Sequence, residues 1–232
     1  MADDKVKILG ISGTPIKDGN CDKLVQAVLQ AAGEIEGIET EFITLADKEI
    51  APCSHCQWCV ENRSRCKIKD DVHEVHDKMF EADGLILGGP TYNLVLSTQL
   101  VNLFSRGREE IFFSHRLANK AIPGSALTLG WFGAGMETAT QIIENLMESF
   151  GVFTVATGSA ITSTAWKGEK ATYQPNGVLD DVRNVFLCQE MAGRRLAKIA
   201  KMMKFARDNG LSAAYELPKK PKKLEEGVWK SK

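Results

Sequence analysis

Val6-Lys7-Ile8-Leu9-Gly10-Ile11-Ser12-Gly13-Thr14-Pro15-Ile16-Lys17-Asp18-Gly19-Asn20-Cys21 is the stretch on which the reading of the fold turns. Val6 to Ser12 is an apolar run of the length of a buried strand, and Gly13 to Gly19 is polar and glycine-bearing, a turn that leads into a helix. Asn20 has the chemistry of an N-cap, Leu24, Val25, Val28 and Leu29 recur at helical spacing between Cys21 and Ala32, and Gly33 marks a stop. A strand, a polar loop and a helix follow one another within about thirty residues.

Outward from there the alternation repeats. Glu41 to Leu45 reads as a second strand, a cysteine segment then breaks the pattern, and a helix resumes near Asp70, with Asp70 and Asp71 suited to its positive end. Gly84 to Gly88 reads as a third strand buried on both faces, followed by a loop over Gly89 to Asn93 and a helix through Arg106. Ser125 to Leu129 gives a fourth strand, Gly130 to Gly135 a second glycine-rich loop, and Met136 to Phe150 a helix. Val152 to Ala156 gives a fifth strand, Thr157 to Gly177 a long connection, and Val178 to Ala206 a closing helix. Strands that are continuous apolar runs need helices on both faces of a parallel sheet, which makes this an α/β chain; five such strands fit a three-layer, flavodoxin-like sandwich with the order 2-1-3-4-5. The expected organisation is one domain over residues 1–206 with a cysteine-bearing insertion at 50–69, then a tail over 207–232. Ligands in this topology bind beyond the carboxyl ends of the strands, at the switch between the first and third, where loops starting near Ser12, Pro90 and Gly130 meet.

Composition narrows the function. The chain has 232 residues, 44% apolar and 25% charged, and a formal charge of −1 from 29 basic and 30 acidic residues. That balance gives no chain-wide positive field for a phosphate backbone, so a nucleic-acid partner is not expected. Nothing near Met1 to Leu9 reads as a signal peptide or a membrane span, and a cytoplasmic protein without a membrane partner is expected.

The first loop offers the hydroxyls of Ser12 and Thr14, Pro15, Lys17, Gly19 and the amides of a helix start at Asn20 and Cys21, groups that suit a phosphate. The spacing fits neither a dinucleotide fingerprint nor a nucleoside-triphosphate loop, so a monophosphate is the simpler ligand. Pro90, Thr91, Tyr92, Asn93 and Leu94 in the second loop, with Gly130, Trp131, Gly133 and Gly135 in the third, offer backbone groups and aromatic faces to a flat ring. Taken singly, a tight turn explains the first loop and core packing explains Tyr92.

These motifs resemble the NADPH-dependent FMN reductase family of flavodoxin-like proteins over roughly residues 5 to 157. In that family the first loop commonly reads Gly-Ser-Pro-Arg-Lys-x-Gly-Asn-Thr, which lines up with Gly13 through Cys21; Thr14 replaces the serine, Ile16 the arginine and Cys21 the threonine. The resemblance implies contacts to the FMN phosphate along this loop. A second family pattern, Pro-Val-Tyr followed by a helix ending in Asp-Arg, resembles Pro90-Thr91-Tyr92 and Ser105-Arg106, without the aspartate.

Cys53, Cys56, Cys59 and Cys66 form C-x2-C-x2-C-x6-C, in which a single loop can wrap its thiolates around an iron–sulfur cluster. No second cysteine set exists, so Cys66 completes the same site. Structural zinc is the competing reading, although zinc sites usually pair two arms across a longer gap, and free thiols near a flavin are the third. Together with Ile68-Lys69-Asp70-Asp71, the motif resembles the iron–sulfur flavoprotein branch of the family. That resemblance implies FMN plus a four-iron, four-sulfur (4Fe-4S) cluster, a homo-dimer or homo-tetramer, and electron exchange with a ferredoxin-like protein and a small-molecule acceptor.

His55 either tunes a cluster sulfur or is an exposed loop residue; His73, His76 and His115 lack an arranged nucleophile and read as structural. Cys188 reads as a buried small hydrophobe, Trp58 as a cluster shield or an interface anchor, and Lys219 to Lys223 as a solvated tail. The function expected is FMN-dependent electron transfer with a cysteine-bound cluster, with no side chain required as a general acid. The alternatives are an NAD(P)H-dependent FMN or quinone reductase without a cluster, and a zinc-stabilised binding module.

Overall fold

The structure, a computed structural model, describes residues 5–164 and 172–211. Its strands are β1 (Val6–Ser12), β2 (Ile38–Thr44), β3 (Gly84–Tyr92), β4 (Val95–Leu96), β5 (Pro123–Gly130) and β6 (Phe153–Ile161). The five long strands are parallel in the order β2-β1-β3-β5-β6, and β4 is a two-residue antiparallel addition to the end of β3. The expected five-strand order therefore holds, with one short strand more than the sequence suggested.

Helices cover both faces. On one lie α1 (Asn20–Gly33), α7 (Val182–Cys188) and α8 (Leu196–Asp208), and on the other α3 (Val72–Glu81), α4 (Thr98–Ser105), α5 (Arg116–Lys120) and α6 (Met136–Ser149); a short α2 (Trp58–Glu61) sits in the cysteine segment. Successive residues of β3 divide between two cores: Leu85 and Leu87 pack with Leu100, Phe104 and Ile143, whereas Ile86 packs with Leu24, Val25 and Leu196. This two-sided burial makes the strand read as a continuous apolar run, and each such side chain contributes roughly 1.5–3 kcal/mol. Two glycines let α1 lie close on the sheet. A Cβ on Gly10 would stand 2.5 Å from Leu29, and one on Gly88 only 2.3 Å from Val25.

Four expectations need correction. The stretch Gly89–Asn93 is not a loop: β3 continues to Tyr92, and the chain reverses on Asn93 and Leu94, both at positive φ (48° and 70°), the twist that suits a two-residue hairpin. The fifth parallel strand does not end at Ala156; it runs to Ile161 as an edge strand whose exposed Thr157 and Ser159 and half-buried Gly158 carry no apolar signal. The closing helix is not continuous from Val178. A 3-10 turn (Gly177–Asp180) precedes α7, and a π-helical stretch (Gln189–Arg195) joins α7 to α8, where Gly193 lies against the Val28 carbonyl of α1. The break before α7 falls at Asp181, whose buried carboxylate accepts the Ile161 amide at 2.9 Å and the Asn184 side chain. Asn20 is not the N-cap of α1; Gly19 holds that position, and the Asn20 Oδ1 accepts the Val178 amide at 2.8 Å. The helix α8 ends at Asp208; the tail from Ser212 onward, including Lys219 to Lys223, lies outside the described residues, as do 165–171 of the connection.

Candidate functional site

The carboxyl ends of β1, β3 and β5 open into a crevice of about 310 Å³, a volume within the range of small-molecule sites. Its floor is the β1–α1 loop. The Gly13 amide donates to the Gly88 carbonyl at 2.7 Å, and the Ser97 hydroxyl donates to the Gly13 carbonyl, so the loop is pinned from two sides. Inside the loop, Ile16 N donates to Thr14 Oγ1 (3.1 Å) and Asp18 N to the carboxylate of Asp22 (2.8 Å), which also accepts the Thr44 hydroxyl. No side chain caps the start of α1. Its first amides and the positive end of its dipole are left to a ligand.

Thr14, Asn20 and Cys21 line the crevice with Pro90, Thr91, Tyr92, Asn93, Gly130 and Trp131, so all three expected segments converge. Ser12 is buried beneath, beside the Cys21 thiol; burial, against a smaller pull from that hydroxyl, pushes Cys21 up to about 12. Burial also raises Tyr92, against its bond to Thr14. Pro15, Lys17, Gly19, Leu94, Gly133 and Gly135 do not line the crevice. The Lys17 ammonium instead pairs at the surface with Asp47, at 3.1 Å. Gly135 has φ +77°, and a Cβ there would meet the Leu94 carbonyl at 2.4 Å, so Leu94 and Gly135 shape the rim by packing on each other. Four lining residues were not foreseen: Ile16, Leu129, Thr162 and Tyr173. Tyr173, bridged to Ser163, sets its ring edge-on to Trp131 with centroids 4.1 Å apart, and no local sequence pattern marks it.

The cysteine segment is a second site with a different construction. Cys53, Cys56, Cys59 and Cys66 all line one small cavity, together with Trp58, Ile68, Arg106 and Arg108. All four are free thiols; Cys59 is buried and Cys56 exposed. Among the described residues no three His, Cys, Asp or Glu side chains converge on a single ion position. Four thiols lining one cavity are a donor set that suits either a tetrahedral zinc ion or an iron–sulfur cluster. His55 N donates to Cys53 Sγ at 3.4 Å, and Arg106 Nε to Cys66 Sγ at 3.0 Å. The Trp58 amide holds the Cys56 thiol below its usual value, whereas burial raises Cys59.

Three non-glycine residues of this loop, His55, Gln57 and Arg63, sit at positive φ (53°, 61° and 46°), a conformation that costs roughly 1 kcal/mol or more each and needs outside support. Arg106, barely considered from the sequence, gives that support. Its side chain is fully buried, grips Asp70 through two nitrogens (2.8 and 3.1 Å), and donates to the carbonyls of Ala51 (2.8 Å) and Ile68 (3.3 Å). Asp70 also accepts the Ala51 amide and Asp71 the Glu49 amide, so the two aspartates clamp the ends of the loop. Burial alone would raise Asp70, but Arg106 and the amides of Ala51 and Val72 hold it below the ordinary carboxylate value.

The remaining candidates are structural. The His55 ring faces Gln57 and Arg108, His73 meets the Cys66 carbonyl at 2.8 Å, and His76 meets the Leu103 carbonyl at 3.0 Å. Burial drives His76 down to about 4 and pushes Cys188 up to about 12, so the first stays neutral and the second stays a thiol near pH 7. No described helix is long and apolar enough to cross a membrane.

Comparison with known proteins agrees with this anatomy. The family model for NADPH-dependent FMN reductase matches residues 6–167. An iron-sulfur flavoprotein of Methanocaldococcus jannaschii is 39% identical over 200 residues, covering 86% of this chain and all of the relative. One of Methanosarcina thermophila is 36% identical over 162 residues, covering 69% of this chain and 83% of the relative. Among solved structures, a flavone reductase superposes with a TM-score of 0.64 at 19% identity, over 87% of this chain and 65% of that one. RosB with a bound 8-demethyl-8-formylriboflavin-5'-phosphate intermediate gives 0.61 at 15% identity, over 98% and 96%. These two likenesses speak to the fold.

Proposed function

Because this chain belongs to the NADPH-dependent FMN reductase family, among the iron–sulfur flavoproteins and hence the flavoprotein oxidoreductases, we propose that FMN occupies the crevice and that Cys53, Cys56, Cys59 and Cys66 hold a 4Fe-4S cluster that exchanges electrons with it. When bound, the cluster supplies single electrons and the flavin ring accepts one or two. The observation that carries the reading is the placement of α4. At one end Ser97 bonds the phosphate loop through Gly13, and at the other Arg106 bonds Cys66. Eight residues of α-helix span about 12 Å, so one short strut ties the two candidate cofactor sites together.

The rest is done by position. The free amides at the start of α1 take the phosphate, and the side chains of Thr14 and Asn20 border it. Tyr92, Trp131 and Tyr173 flank the space for the ring. No carboxylate, imidazole or amine lines the crevice among the described residues, and in this reading the chain acts on the flavin through binding and orientation. Arg106 and the Cys53-directed amide of His55 donate to the sulfurs, the kind of contact that sets a cluster's potential. A ferredoxin-like protein is the electron donor in this reading and a small molecule the acceptor. For the homo-oligomer this reading includes, the exposed apolar side chains Phe153 of β6 and Val182 and Phe186 of α7 offer contact area.

Anaerobic purification followed by iron, acid-labile sulfide and flavin analysis tests the proposal. The expected result is about four irons and four sulfides per FMN. Zinc without sulfide returns the site to a structural metal. Flavin alone, bleached rapidly by NAD(P)H, returns the protein to a reductase without a cluster. Riboflavin is expected to bind at least about a hundredfold more weakly than FMN, since it lacks the anion that the α1 amides would bond.

A further inference from the structure

The chain as a whole is nearly neutral, but the cysteine loop is not. Arg63, Arg65, Lys67 and Lys69 alternate through seven residues around Cys66, in a protein whose formal charge is −1. Arg65 is engaged, pairing with Asp77 at 3.0 Å and donating to the His73 carbonyl. Arg63, Lys67 and Lys69 are exposed and Arg108 is half-buried beside them; none of these four makes an ion pair with a carboxylate among the described residues. Three of them lie over aromatic rings instead: Lys67 over Trp58 (5.5 Å), Arg108 over Phe112 (5.5 Å) and Arg63 over Phe113 (5.6 Å). Trp58 and Phe112 are 42% and 50% exposed, and the exposed Cys56 belongs to the same loop. The one exposed carboxylate within the loop is Glu61.

We infer that this collar is the docking surface for an acidic one-electron carrier protein, which delivers its electron beside Cys56. The inference rests on the cluster reading above and adds the face and the chemistry of recognition. Unpaired cations steer a negatively charged partner, and the two exposed rings supply the apolar centre of a small, transient interface rich in Trp and Arg. In the transfer one electron leaves the reduced carrier, which is oxidised, and reaches the cysteine-bound cluster, which is reduced; no bond or proton moves. Four cations interrupted by two apolar rings form a poor track for the evenly spaced phosphates of a nucleic acid.

The test is calorimetric titration of the anaerobic holoprotein with an oxidised plant-type [2Fe–2S] ferredoxin, an acidic carrier. Raising the salt from about 20 to about 300 mM is expected to weaken binding at least about tenfold, because such pairs are screened over a Debye length. The triple variant R63E/K67E/K69E is expected to weaken it at least about tenfold at low salt, while its iron content and its reduction by photoreduced deazariboflavin stay unchanged. If that variant fails to hold iron, the salt dependence of the unaltered protein decides. Binding that ignores both salt and charge reversal overturns the inference, and so does equal competition by a short single-stranded oligonucleotide. Iron and sulfide analysis separates this failure from the deeper one: a chain without a cluster removes both readings, whereas a loaded chain indifferent to charge removes only the docking face.

Discussion

The crevice and the cysteine loop stand at opposite ends of one short helix, yet they are built from different materials. The crevice is largely main chain: the Gly13 amide on the Gly88 carbonyl, uncapped amides at the start of α1, and strand ends placed by sheet topology. The cysteine loop has three residues in the left-handed region and is held in shape by the side chains of Arg106, Asp70 and Asp71. A site made of backbone tolerates most single substitutions of its side chains, whereas a site held by one buried ion pair does not.

The sharpest way to break this contrast is Arg106→Ala. It strands the Asp70 carboxylate, only 6% exposed, without its partner and is expected to cost about 3–5 kcal/mol and most of the cluster. Urea unfolding and iron content would report it. Arg106→Lys keeps the charge but loses the planar fork, and is expected to restore only part of either. Retention of iron and stability by the alanine variant would show that the loop does not depend on the clamp.

Acid should separate the two regions next. His76, on α3 directly after the cysteine segment, is held neutral, with its value driven from 6.5 to about 4 by burial. Its stabilising effect is complete above pH 6.5 and is lost as the pH falls toward 4, because the unfolded chain takes up that proton first; the loss amounts to about 3 kcal/mol. Asp70, held below the ordinary carboxylate value, adds a further loss only at pH below about 4, as its carboxylate protonates. His76→Gln, which can still donate to the Leu103 carbonyl, is expected to flatten the slope between pH 6.5 and 4 in denaturation curves. An unchanged slope would assign the acid sensitivity elsewhere.

The smallest effect is expected at Lys17→Ala. Its side chain is 61% exposed and bound to Asp47, so stability should change by no more than about 0.5 kcal/mol and FMN affinity by less than about threefold. Flavin fluorescence titration measures the second. A loss beyond about tenfold would mean that the crevice relies on a side-chain cation after all.

The same contrast explains what could be read without coordinates. The strand order and the switch point were legible because two-sided burial makes β3 and β5 largely apolar and leaves Lys7 as the one exposed residue of β1. The cysteine spacing was legible because its four members lie within one short loop. Arg106 was not, since its partners Asp70, Cys66 and Ala51 are 36, 40 and 55 residues away, and only the folded chain brings them together. Tyr173 was hidden for a similar reason, in a stretch without periodicity that the bridge to Ser163 and the bond from the Gln174 amide to the Thr162 carbonyl hold beside the end of β6. The end of β6 escaped because an edge strand does not need apolar residues on both faces.

The bond from Asn20 to the Val178 amide joins positions 158 residues apart. It ties the mouth of the phosphate loop to the turn that precedes the last helices. During synthesis the ribosome must deliver the chain as far as Val178 before this closure exists, so a nascent chain has its first strand and helix long before it has a finished pocket. Tight flavin binding is then expected only after the Gly177–Asp180 turn has reached Asn20.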